Sequence, residues 1–277
     1  MELSFNGEFF LQDGDADLLL RVEGRDLLWQ KECLLNLLVH ELPSECDMVA
    51  WIDCDVIFED KDWSSKAVEA LKAYKLIHLF DHRVDSSPTQ TEGGNFTFPS
   101  EKDKKANARS IGYQWSTGKA IDADFFIPDS ISYTRIIMGL AWASPRDILE
   151  KHGLYDACIL GGADRTIVCS AIGRFDLGAK AIHMTDASIN HYLQWAKPYF
   201  ESAQSSFGHI PGRILHLWHG EMKDRKYDSR HNILIKHGFD PLTDVIKNDQ
   251  GLWQWSSAKP ELHAEIAAYF RSRKEDG

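Results

Sequence analysis

The chain has 277 residues, 43% hydrophobic and 11% aromatic, enough apolar side chain to bury a sizeable core and to exclude an intrinsically disordered protein. A formal net charge of −11 removes the broad positive field on which nucleic acids and anionic membranes rely, so a polyanionic partner must be held at a local site, most simply one with a metal ion. The opening MELSFNGEFF has no leader pattern, no run of about 18 apolar residues occurs, and five cysteines without a CxxC pair point to a reducing cytoplasm, so no membrane span is expected.

Glu2 to Gln12 is expected as a strand, and Leu27, Leu28, Leu34, Leu35, Leu38 and Leu42 recur at the helical period before Pro43 ends the helix. Met48 to Phe58 predicts the clearest strand, apolar at successive positions until its carboxylates begin, as in a strand covered on both faces. A helix over Trp63 to Tyr74 and a strand over Lys75 to Phe80 continue a βαβ rhythm. Residues 81–122 lose periodicity and gather Gly, Ser, Pro and Lys, which predicts a long flexible loop. Tyr133 to Ala143 restores order, and Ser144-Pro145-Arg146-Asp147 predicts a helix capped by serine and closed by Gly153. Then come a helix over Asp164 to Ile172, a strand near Ala181 to Thr185, and an aromatic helix through His191 to Ser202. A strand over Arg213 to Trp218, a helix ending at Gly238 and a last helix from Pro260 to Arg273 complete the chain. No repeat or linker divides it, so one domain spanning 1–277 is expected.

Three constellations carry chemistry. In Asp53-Cys54-Asp55 the strand period of two puts both carboxylates on one face, where they repel unless a cation joins them; their oxygens suit Mg²⁺ or Mn²⁺, the alternative being two solvated turn acids. His216 and His219, three apart after an apolar strand, offer imidazoles acceptable to Mn²⁺, although most of the twelve histidines must serve as ordinary structural residues. Gly161-Gly162-Ala163-Asp164 opens a helix; Asp164 is either its cap or, with glycines that let a substrate approach, an exposed base. Within Lys223 to Tyr227 a cation such as Lys223 can neutralise a departing diphosphate, and Trp142 is a candidate for stacking on a sugar.

The strings VAWIDCDVIFED, GLAWASPRDILEKHGLYDACILGGADR and HLWHGEMKDRKYDSRHNIL resemble GT-A glycosyltransferases, particularly bacterial and viral members related to the galactosyltransferase and N-acetylgalactosaminyltransferase group. The likeness runs from about Leu27 to the C-terminus. It implies an α/β fold with a mainly parallel central sheet flanked by helices. It also implies a UDP-sugar donor, a hydroxyl acceptor such as a glycan, and Mn²⁺ or Mg²⁺ as cofactor. By the resemblance Asp55 binds the metal, Asp53 contacts ribose or metal, and His219 or His216 completes the ligands. Asp164 becomes the base of an inverting transfer, with Trp142, Gly161 and Gly162 beside the acceptor. The family opens with a strand-helix-strand unit for which the residues before Asp53 leave too little room; either the start of the sequence is truncated, or the base is held differently, for instance by Lys31 and Asn36. Two other readings remain: a metal-dependent phosphoesterase, and a non-catalytic carbohydrate- or nucleotide-binding protein on a degenerate version of the fold.

Overall fold

The computed structural model describes residues 1–94, 96–98, 108–121 and 136–273. Among the described residues the architecture is mixed α/β, with two mixed sheets, two two-stranded ones and no barrel. Two short strands, β1 (Glu2–Ser4) and β2 (Arg21–Glu23), pair in parallel at the N-terminus. The expected strand to Gln12 stops early, and Gly7, at φ 79, bends the chain away. Helix α1 (Lys31–Glu41) leads to β3 (Met48–Ile52) and, after a turn, to β4 (Val56–Phe58). Helix α2 (Trp63–Leu71) and strand β5 (Leu76–His78) follow.

The segment expected as a loop contains β6 (His82–Asp85), α3 (Pro88–Glu92), β7 (Ala108–Ser110) and α4 (Ile111–Ser116); residues 95, 99–107 and 122 lie outside the described part. Only Val84 of β6 is buried, so four residues carry too little alternation to reveal a strand. Of the order expected from Tyr133, residues 133–135 lie outside the described part, and β8 (Ile136–Ile137) and β9 (Ala141–Pro145) are formed. Because β9 runs to Pro145, Ser144 is not the helix cap: it is buried and its Oγ donates to Lys75 O at 2.7 Å. Helix α5 (Arg146–His152) ends at Gly153, φ 63, as expected.

Helices α6 (Ala163–Ala171), α7 (Phe175–Ala181) and α8 (Asp186–Ala203) come next. The strand expected near Ala181 to Thr185 is instead the end of α7 and a turn, and Thr185 caps α8 by accepting Ser188 N–H at 3.1 Å. Strands β10 (Phe207–His209) and β11 (Arg213–His216), a 3₁₀ turn (Met222–Arg225), α9 (Asn232–Lys236), the β12 (Val245–Lys247) and β13 (Trp253–Trp255) hairpin, and α10 (Pro260–Ser272) complete the chain. Among the described residues no helix is long and apolar enough to cross a membrane.

Two sheets position the site. The first has order β10-β5-β9-β3, with β10 and β5 parallel and the other pairs antiparallel; the second, β4-β11-β6-β7-β8, alternates antiparallel and parallel pairs. The expectation of a mainly parallel sheet is thereby corrected to mixed sheets: β9 returns antiparallel between β5 and β3. The period of two sorts side chains between cores. Leu76 and Trp142 join the cluster under α5 to α8, whereas Ile77, Ala141 and Ala143 join the one that includes Ala67 and Leu71 of α2. A third cluster, including Leu28, Ile159, Leu160, Leu262 and Ile266, seats α10.

Helix α4 crosses β10 closely enough that a Cβ at Gly112 would lie 2.3 Å from the Gly208 carbonyl oxygen, a backbone atom unable to yield. Gly112→Ala is expected to lower unfolding free energy by about 2 kcal/mol by overpacking. Urea denaturation with an unchanged midpoint contradicts this.

Candidate metal centre

The site is built by strand register. Val56 N donates to Asp53 O at 3.3 Å, closing a turn that takes the chain from β3 in one sheet to β4 in the other. Asp53 and Asp55 therefore do not share one face of a continuous strand, as the alternation argument required. Asp53 pairs with Lys31 at the start of α1, and Asp55 turns to the histidines. Strand β11 lies between β4 and β6, with His216 opposite Val56 on one side and Asp85 on the other. Leu217 N extends the ladder by donating to Asp55 O at 2.8 Å.

Asp55 Oδ2 lies 2.8 Å from His219 Nε2 and 3.3 Å from His216 Nε2. The two Nε2 atoms are 3.2 Å apart, too close for both to point an N–H at the other. Ligand atoms of the three residues all lie within 4.8 Å of one another. His216 Nδ1 meets Asp85 Oδ1 at 3.0 Å, the outer-shell carboxylate that fixes a ligating imidazole with its Nε2 lone pair forward. Burial works to raise the Asp55 carboxyl, but hydrogen bonds from His216 and His219 overcome it and hold the group well below the usual range. Burial lowers His216, yet Asp55 and Asp85 together pull it above its ordinary value.

Asp55 Oδ1 is buried without a hydrogen-bond partner, an acceptor that a cation satisfies. One carboxylate and two imidazoles are the donors of a mononuclear transition-metal or zinc site. These three residues would hold a divalent cation, His219 doing so only when the Arg225 guanidinium vacates its Nε2 lone pair. Asp53, expected among them, is not in the group, because its oxygen is engaged by Lys31.

The cation at the centre is Arg225 rather than Lys223. Lys223 is exposed on the 3₁₀ turn, whereas Arg225 is 7% exposed, with Nη2 at 2.7 Å from His219 Nε2 and 3.0 Å from His219 O. In a charge run the sequence does not show which side chain turns inward; Arg225 is carried there by the 3₁₀ turn, and Tyr269 OH donates to its carbonyl at 3.2 Å.

Beside the triad lies a second charged group. Burial raises the Asp53 carboxyl while Lys31 opposes the shift and Asp164 adds to it. Burial disfavours the Lys31 cation, but Asp164 and Asp53 hold it charged, its pKa raised overall. Glu32 is 3% exposed, accepts Trp29 Nε1–H at 2.9 Å, and is pushed up to about 7, chiefly by burial. Asp164 thus shares the field of Lys31 and Asp53.

Asp164 is not the cap of α6. That position belongs to Gly162, φ 97, and the Asp164 carboxylate accepts Trp142 Nε1–H at 3.1 Å. Trp142 is fully buried, stacked 3.6 Å from the His78 ring centroid, so it cannot stack on a sugar as expected. Gly161 and Gly162 serve packing rather than substrate approach: a Cβ on Gly161 would meet the Trp29 ring at 3.3 Å, and one on Gly162 would meet Ile182 at 2.8 Å. Asn36 is consumed elsewhere, accepting Leu154 N–H at 2.7 Å and donating to Leu154 O at 2.9 Å. Asp85 was missed because its partner His216 is distant in sequence, and Arg225 and Glu32, whose partners are near, because spacing does not show that they are buried.

Asp85→Asn is expected to weaken Mn²⁺ binding by about 10–100-fold, read by calorimetry, since His216 loses its orienting acceptor; unchanged affinity contradicts the role. For Glu32, a folded pKa above the unfolded 4.5 means that the native state holds the proton more tightly, so stability falls as pH rises from 4.5 to about 7. In metal-free protein, Glu32→Gln should remove roughly 3 kcal/mol of this fall, measured by urea denaturation at either end of the window. An identical wild-type-to-variant difference at both pH values contradicts the burial. No family model matches the chain, and neither does any curated protein or solved structure.

Proposed function

We propose that the chain is a metal-dependent glycosyltransferase of the GT-A type, moving a hexose or N-acetylhexosamine from a UDP-sugar to a hydroxyl. The observation that carries this reading is the convergence of Asp55, His216 and His219, with an unsatisfied Asp55 oxygen, two residues from Asp53, whose field Asp164 shares. Two imidazoles favour Mn²⁺ over Mg²⁺, which prefers an all-oxygen shell. What such a cation supplies when bound by Asp55, His216 and His219 is charge neutralisation on the leaving diphosphate. Arg225, buried against His219, adds a fixed positive charge on the same side.

Lys31 also lines a cleft of about 430 Å³ walled by Leu3, Phe5, Trp29 and Phe270, with Arg273. A nucleoside in this cleft would meet the Trp29 indole, over which Arg273 already lies, and Lys31, which pairs with Asp53. We read the base as held at Trp29 and Lys31 rather than at Asn36. Asp164 accepts the proton as the acceptor hydroxyl attacks the anomeric carbon and the bond to the diphosphate breaks, which inverts the configuration.

The phosphoesterase reading is less favoured, because such sites commonly use two metals and the described residues contain a single triad of this kind. Incubation with a panel of UDP-sugars should release UDP in a Mn²⁺-dependent manner. Asp55→Asn is expected to abolish metal-dependent stabilisation by UDP, and Asp164→Asn to retain it while stopping transfer. If neither UDP nor Mn²⁺ raises the melting temperature, the reading fails in favour of a non-catalytic protein.

A further inference from the structure

The short segment that enters β9 touches both acid-bearing turns. Leu140 adopts φ 86, a left-handed conformation uncommon outside glycine, and its carbonyl accepts Asp53 N–H at 2.7 Å. The residues around it reach the other acid. Trp142 Nε1 donates to Asp164 Oδ1 at 3.1 Å, from a ring that is fully buried, stacked on His78 and 6.3 Å from the Trp51 centroid. Such packing leaves the indole no alternative rotamer and makes it a rigid donor. Gly139 supplies the complementary condition: a Cβ there would lie 2.8 Å from Asp164 Oδ2 and 3.0 Å from its Cγ, so the carboxylate occupies the space that a side chain would take.

We propose that Gly139 and Trp142 are positioning residues that set the Asp164 carboxylate against the Asp53 turn, with Leu140 as the fixed link between them. The inference rests on Asp164 being the base of the proposed transfer. One oxygen is pinned by a donor that cannot rotate, the other by room that only glycine leaves, and the peptide between them is hydrogen-bonded to the turn beside the metal ligands. Displacing the carboxylate by a fraction of an ångström should then impair transfer without weakening donor binding.

Gly139→Ala is the sharper variant. Gly139 is not at positive φ, and the atoms a Cβ would meet are the end of one side chain, so the Asp164 carboxylate shifts and the backbone does not. The expected result is a fall in kcat of about 10–100-fold, with the KM for the UDP-sugar and the Mn²⁺-dependent binding of UDP within about twofold of wild type. Trp142→Phe should lower kcat similarly. A second readout is independent of activity: among the indole N–H resonances of the nine tryptophans, the one lost in Trp142→Phe must move in Asp164→Ala and in Gly139→Ala.

Failure of that resonance to move, or wild-type kcat in Gly139→Ala while Asp164→Asn is inactive, overturns the positioning role and leaves the base assignment standing. Should Asp164→Asn transfer sugar as well as wild type, the base assignment itself fails and the positioning role fails with it. A proportional loss of kcat and of UDP binding in Gly139→Ala also overturns the proposal, since that is the signature of general structural damage.

Discussion

The candidate centre depends on one ladder. Strand β11 is held antiparallel to β4 and parallel to β6, and that pairing alone brings His216 between Asp55 and Asp85. A slip of one residue would turn the imidazole to the opposite face of the sheet. Ser86 and Thr91 lock the continuation, since their hydroxyls accept Trp218 N–H at 2.8 and 3.0 Å and so fix the chain that carries His219. The cluster of donors is therefore a product of backbone hydrogen bonding before it is a product of side-chain chemistry.

The turn at Asp53 to Asp55 divides the labour of two neighbouring acids. Asp53 faces Lys31, Glu32 and Asp164 in a half-buried group where one cation is shared among several carboxyls; Asp55 faces the imidazoles. Burial is the largest influence on Lys31, Glu32, Asp53 and Asp55, but specific partners modify the outcome: Asp55 is driven down by two hydrogen-bonded histidines, while Glu32, with only an indole and Lys31 to favour its charge, is driven up. Asp53 and Asp55, two positions apart, thus shift in opposite directions, Asp53 up and Asp55 down.

Much of the architecture was legible in the pattern of side chains. Leu34, Leu35 and Leu38 mark α1, Gly153 stops α5, and the strand expected from Met48 to Phe58 is formed over Met48 to Ile52 before the chain turns, because long periodic segments and terminators act locally. Short elements were not legible. β6, β7 and β10 hold three or four residues each, too few for a period to appear, and the strand expected near Ala181 to Thr185 is the end of α7 and a turn, because a brief apolar run suits either state.

By itself the sequence determined the chemistry available at the centre. Asp55, His216 and His219 stand out as an acid at a strand end and two imidazoles behind another strand, whatever the fold. Only the tertiary structure decided which of the candidates meet. It removed Asp53 from the ligand group, exchanged Lys223 for Arg225, buried Trp142 as a donor to Asp164, and gave Asn36 to the Leu154 backbone. The physical reason is common to all four: where a polar side chain points is set by the turn, register and packing of elements far away in the chain, and spacing along one segment holds no record of them.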